Sequence, residues 1–139
     1  MKDNKIIGFT CSCFDLLHAG HILMLKDAKK QCDYLIVGLQ TDPSIDRLHK
    51  NKPIESLDER KIQLEAVKYI DKIIIYKTEN DLYQLLQEIK PNIRILGSDY
   101  INKSFTGDDL DIQIYYHERN HNYSTTNLKE KISTSKIKE

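Results

Sequence analysis

Two histidines, His18 and His21, stand three positions apart around Gly20 in the stretch TCSCFDLLHAGHILML, residues 10–25. There an apolar strand pattern gives way to an apolar helix pattern. A helix N-terminus carries unpaired N–H groups and about half a positive charge, which favours phosphate. Imidazoles beside it donate hydrogen bonds to phosphate oxygens, and an ordinary pKa of about 6.5 keeps either protonation state within reach. Glycine between them lets backbone approach a ligand closely. The chain contains neither GxGxxG nor GxxxxGK[ST], so a dinucleotide fingerprint and a Walker P-loop are both excluded. The residue types at this junction point to a phosphate-bearing ligand.

The elements that must hold the junction are legible as hydrophobic period. KIIGFT (5–10), DYLIVGLQ (33–40), KIIIY (72–76), NIRILG (92–97) and IQIYYH (112–117) read as strands. A helix from Gly20 carries Ile22, Leu23, Leu25 and Ala28 as its apolar stripe, with Lys26, Lys29 and Lys30 in water. Ser56 and Glu59 form a capping box that opens a helix through about Tyr69, bearing Ile62, Leu64, Ala66 and Val67. Residues 81–90 make a third helix on Leu82, Leu85, Leu86 and Ile89, stopped by Pro91. Residues 124–127 cap a last helix with Leu128 and Ile132 facing in, and residues 44–53 are a polar loop. Of Tyr115 and Tyr116, one faces the core and the other a helix layer.

Strands alternating with helices predict an α/β fold: a Rossmann-like, doubly wound, five-stranded parallel sheet with helices on both faces. Ligands of such sheets sit beyond the carboxyl ends of the strands, where strand order reverses. At 139 residues the chain makes one domain, expected over 1–132, with a frayed tail at 133–139. Lys and Arg total 21, as do Asp and Glu, which argues against a nucleic-acid partner held by general electrostatics. The N-terminal residues lack a signal-peptide h-region, and no apolar stretch approaches the roughly 18 residues of a membrane span. Three cysteines, an odd number, read as reduced thiols in a cytoplasmic protein.

FDLLHAGH (14–21) resembles the HxGH signature of the cytidylyltransferase-type nucleotidyltransferases. RNHNYSTT (119–126) resembles their second signature, R-T-x-G-I-S-T-[ST], with Arg119, Ser124, Thr125 and Thr126 in register. The likeness runs from about residue 5 to 132, closest to glycerol-3-phosphate cytidylyltransferase. It implies transfer of CMP from CTP to a phosphorylated alcohol such as glycerol 3-phosphate, giving CDP-glycerol and pyrophosphate for capsule or cell-wall polymers. His18, His21, Lys52 and Arg119 would then be catalytic. Cys13, Phe14, Ala19, Gly20, Asp99, Tyr123, Ser124, Thr125 and Thr126 would complete the nucleotide site, with Lys50 and Lys68 on the acceptor. Magnesium would be carried by the nucleotide phosphates, with no dedicated metal site in the protein. CTP, a small phosphorylated alcohol and a second copy in a homodimer are the implied partners.

ILGSDY (95–100) and STTNLKEKI (124–132) lean instead towards the adenylyltransferase domain of ADP-heptose synthase. The alternative activity is therefore adenylyl transfer to a sugar phosphate. A nucleotide-sensing module without turnover is the alternative from another class, motivated by Ser12 where relatives carry glycine. Asn120 and Asn122 replace the usual Thr and Gly, with Asn122 able to adopt a left-handed backbone. Lys68 replaces an arginine of the glycerol-3-phosphate enzymes. Blander readings stand beside these: the histidines as turn caps, Cys11, Cys13, His18 and His21 as zinc ligands, Lys50 and Lys52 as solvated charges, and His117 and His121 as surface residues.

Overall fold

The five apolar runs become five parallel strands in a computed structural model describing residues 5–135. They are β1 (Ile7–Ser12), β2 (Tyr34–Gln40), β3 (Lys72–Tyr76), β4 (Ile93–Gly97) and β5 (Gln113–His117). The helices are α1 (Ala19–Lys30), α2 (Leu57–Glu65), α3 (Glu79–Ile89) and α4 (Thr125–Thr134), with a single 3-10 turn at Ser98–Tyr100. Sheet order is β3-β2-β1-β4-β5, so the winding reverses between β1 and β4. Ile7 pairs with Tyr34 and Ser12 with Leu39 on one side of β1, while Phe9 pairs with Arg94 on the other.

Alternation along the strands divides the core into two layers. Leu35, Val37, Leu39 and Ile95 pack with Leu25, Ala28 and Leu64 on the α1–α2 face. Phe9, Ile36 and Tyr76 pack with Leu82 and Leu86 on the α3 face. Gln40 and Arg94 continue the second set, which places two polar side chains at the top of an apolar layer.

Ser56 and Glu59 cap α2 as expected, their bonds measuring 3.1 Å and 2.9 Å. The helix stops at Glu65 rather than near Tyr69, because Ala66 closes it and Val67, Tyr69 and Ile70 reach the core from turns. Thr78 and Asp81 form a further capping box, so α3 starts two residues earlier than its apolar stripe suggests. Leu23, Ile62 and Ile132 face solvent, at 39%, 66% and 59% exposure, against expectation. Leu23 and Ile62 each lie two positions from a fully buried leucine, about 200° away around the helix. Helix α4 buries no residue, and Ile132 sits on its last turn. That helix runs two residues past the expected domain limit, and the remaining tail expectation lies outside the described residues. Tyr115 does reach the α1 face, where it packs against the core. Among the described residues no helix is long and apolar enough to cross a membrane.

Candidate active site

At the carboxyl ends of the strands, beside the reversal of winding, opens a cleft of about 1020 Å³. Its floor is the turn between β1 and α1. Phe14 and Leu16 adopt left-handed backbone there, with φ of 49° and 51°. That conformation is unfavourable for bulky side chains and must be held by its surroundings. The Phe14 ring is buried in the core, and its N–H donates to Ser12 Oγ at 3.3 Å. The Leu16 N–H donates to Glu55 Oε1 at 2.7 Å. Ser12 itself does not have positive φ, so serine in place of glycine strains nothing.

The turn ends at the two histidines, which cap α1. The His18 backbone N–H donates to His21 Nδ1 at 3.1 Å, and the Gly20 N–H donates to His18 Nδ1 at 3.0 Å. Each ring thus accepts through Nδ1 and, when neutral, carries its proton on Nε2. The rings lie 4.0 Å apart. Burial, then the charge of His18, pushes the His21 pKa down to about 4, with Asp15 opposing. Burial, then Arg119 and His121, also pushes His18 down. The pair is therefore a pair of neutral N–H donors at the start of a helix.

Two buried charges tie the surrounding segments to this floor. Asp15 accepts from the Ile54 and Glu55 N–H groups, each at 2.9 Å. That anchors the loop bearing Lys50 and Lys52, both of which line the cleft. Arg60, 2% exposed, donates to the carbonyls of Cys13, Gln40, Thr41 and Glu55. It thereby joins the ends of β1 and β2 to the start of α2.

The third wall is the 119–126 segment. Arg119 Nη2 donates to the Tyr123 carbonyl at 2.7 Å, and Ser124 caps α4 through the Asn127 N–H at 3.0 Å. Thr125 Oγ1 donates to the Asp15 carbonyl at 3.5 Å. A Cβ on Gly20 would stand 2.8 Å from His18 Cε1 and 3.0 Å from the Tyr123 carbonyl oxygen. Glycine is thus required where the two signatures, about a hundred residues apart in sequence, come into contact.

Of the expected site residues, Cys13, His18, Gly20, His21, Lys50, Lys52, Asp99, Arg119, Tyr123, Ser124 and Thr125 line this one cleft. Four do not. Phe14 is a core residue whose N–H is already taken, while Ala19, which begins α1, and Thr126, in the first turn of α4, have exposed side chains outside the lining. Lys68 follows α2, its ammonium 5.4 Å from the centre of the Tyr69 ring, away from the cleft walls. Asn122 has no left-handed backbone; its carbonyl accepts from Asn127 Nδ2 at 2.6 Å. His117 and His121, read as surface residues, instead line the cleft. His117 Nδ1 lies 2.7 Å from Asp27 Oδ2, and the Tyr115 hydroxyl donates to the same carboxylate.

The opposite wall was not legible beforehand. Gln40, Arg47, Glu79, Arg94 and Thr106 line it. Two signals pointed there: an arginine interrupting the apolar run NIRILG, and the Thr78–Asp81 capping pattern that fixes Glu79. Among the described residues, no three His, Cys, Asp or Glu side chains are placed to hold a metal ion. Cys11 sits on the α3 face, where burial pushes its thiol pKa up.

A family model described as cytidylyltransferase-like matches residues 9–139. The bifunctional protein HldE of Helicobacter pylori is 39% identical over 131 residues, covering 94% of this chain and 28% of that protein. HldE of Campylobacter jejuni is 36% identical over 136 residues, covering 97% of the chain and 29% of that protein. The chain thus spans less than a third of the length of these curated relatives. A lipopolysaccharide core biosynthesis protein from Thermoplasma volcanium superposes with a TM-score of 0.67 at 29% identity, covering 87% of this chain and all of that one. Pantoate-β-alanine ligase from Francisella tularensis shares the fold, with a TM-score of 0.63 at 21% identity over 93% of this chain and 67% of that one.

Proposed function

The chain belongs to the cytidylyltransferase-like family and is an enzyme of nucleotidyltransferase type, and from that premise we propose that it transfers the adenylyl group of ATP to a sugar phosphate. The observation that carries this reading is the 39% identity to the bifunctional protein HldE across a segment that includes both signatures, beside the resemblance of ILGSDY and STTNLKEKI to the adenylyltransferase domain of ADP-heptose synthase. It favours the adenylyl alternative over CDP-glycerol formation.

An acceptor phosphate oxygen attacks the α-phosphorus in line. A new P–O bond forms, the α–β bridging bond breaks, and the electron pair leaves on pyrophosphate. A phosphate monoester with its second pKa near 6 is largely its own nucleophile near pH 7, so no side-chain base is needed. The barrier lies in bringing two polyanions together and stabilising charge on the transferred and leaving groups. The Nε2 protons of His18 and His21, the amides opening α1 and α4, and Lys50, Lys52 and Arg119 supply that field. The cleft offers cations rather than a carboxylate cage, so magnesium is proposed to enter with the nucleotide. Homodimeric assembly in the cytoplasm belongs to the same proposal and rests on the family resemblance.

Pyrophosphate release tests it, with ATP or CTP and magnesium crossed against heptose 1-phosphate, glycerol 3-phosphate and phosphocholine. Turnover with ATP and the sugar phosphate is expected. Turnover only with CTP would return the activity to the cytidylyl class, and tight nucleotide binding with no pyrophosphate would make the chain a sensor.

A further inference from the structure

The cleft has two walls of different character. One wall carries the imidazoles, lysines and helix starts that suit phosphates. The other is a connected polar surface above the α3-face core. Gln40, 1% exposed, accepts from Arg47 Nη2 through Oε1 at 2.9 Å and donates to Glu79 Oε2 at 3.3 Å. Thr106 Oγ1 donates to Glu79 Oε1 at 2.8 Å, and the Glu79 N–H donates to Asp46 Oδ2 at 2.8 Å. Arg94, 3% exposed, donates to the Thr106 carbonyl and lies 5.2 Å from the centre of the Phe105 ring. The Nε atoms of Arg47 and Arg94 are buried without a partner.

This wall is not a simple anion hole, because the Glu79 carboxylate lies 3.8 Å from Arg47 Nη2 and offsets its guanidinium charge. It alternates fixed donors with fixed acceptors, next to the flat faces of Phe105 and Tyr100. Hydroxyl groups, which both donate and accept, match such a surface, and sugar C–H faces match the rings. We propose that this wall seats the hydroxyl-bearing portion of the acceptor, with Glu79 as a specificity-determining residue. The assignment rests on the nucleotidyltransferase reading above and names a part of the site that the phosphate-binding residues leave unused.

Glu79→Gln keeps the size and the Thr106 contact but removes the charged acceptor. In the full chain with ATP, magnesium and heptose 1-phosphate, it is expected to raise the acceptor KM about tenfold or more, with the KM for ATP unchanged. Thr106→Val, which removes the hydroxyl orienting Glu79, should shift the same constant in the same direction and serves if the first variant folds poorly. An unchanged acceptor KM in both variants, or a parallel rise in the ATP KM, would overturn the assignment while leaving the enzyme class intact. A wild-type chain that releases pyrophosphate with no phosphorylated acceptor would instead overturn the functional reading beneath it.

Discussion

In the His18–His21 pair the two nitrogens of each ring have different tasks. Nδ1 accepts a backbone N–H and closes the start of α1, leaving the Nε2 proton for a ligand. Capping and phosphate binding are therefore not rival readings of these histidines. Replacing either with alanine should lower kcat by about 10²–10³-fold, as for loss of an oxyanion donor. Steady-state pyrophosphate release checks this, and wild-type rates in both variants would remove the pair from the chemistry. Protonation gives a second prediction. The folded His21 pKa is near 4, against about 6.5 unfolded. Between those values the unfolded chain binds a proton that the folded one refuses. The stability that follows is complete above about pH 6.5, is lost as pH falls towards 4, and amounts to at most about 3 kcal/mol. Urea unfolding at several pH values should show this decline, and His21→Gln should flatten it; an equal slope in that variant would assign the decline to other groups.

At the scale of elements, period and capping suffice for the strand count and the sheet class, whereas the shared cleft of the two signatures follows from the family resemblance and not from period. The misplaced isoleucines have one physical cause: an apolar side chain in a short helix need not face inward. Ile62 shares its helix with Leu64 and Ile132 is expected to face in, yet helix geometry carries the first away from Leu64 and the second sits at the exposed end of α4. The hub role of Arg60 was illegible for the converse reason. A charged residue in a helix reads as solvated until the fold brings four carbonyls around it. Gln40 and Glu79 stayed hidden likewise, since their partners lie on other elements. Arg60 also supplies a test at this scale. Arg60→Lys keeps the charge but cannot reproduce a planar fork reaching several carbonyls, and leaves buried acceptors unmet at about 1–3 kcal/mol. The expected drop in urea midpoint of that size, with unchanged slope, would fail to appear if water replaced the guanidinium at no cost.

Across the whole molecule, a chain of zero net charge concentrates cationic and N–H donor groups at one end of its sheet. Zero net charge overall limits non-specific polyanion binding, while Lys50, Lys52, Arg119 and two helix starts face the same cleft. A ligand that bridges these elements binds the folded chain and not the unfolded one, so its affinity must appear as stability. At a hundred times its dissociation constant a nucleotide should add about 2.7 kcal/mol, or about 9 °C in melting temperature for a domain of this size. Thermal melts with magnesium and ATP, CTP or AMP separate the contributions. ATP should shift the transition most under the adenylyl reading, and AMP least, because it brings the base without the phosphate tail that the proposal places between α1 and α4. Raising ionic strength from about 0.1 M to 1 M, which shortens the Debye length from about 10 Å to 3 Å, should shrink the ATP shift more than the AMP shift. Equal shifts for ATP and AMP at every salt concentration would mean that the triphosphate does not sit between the two signatures.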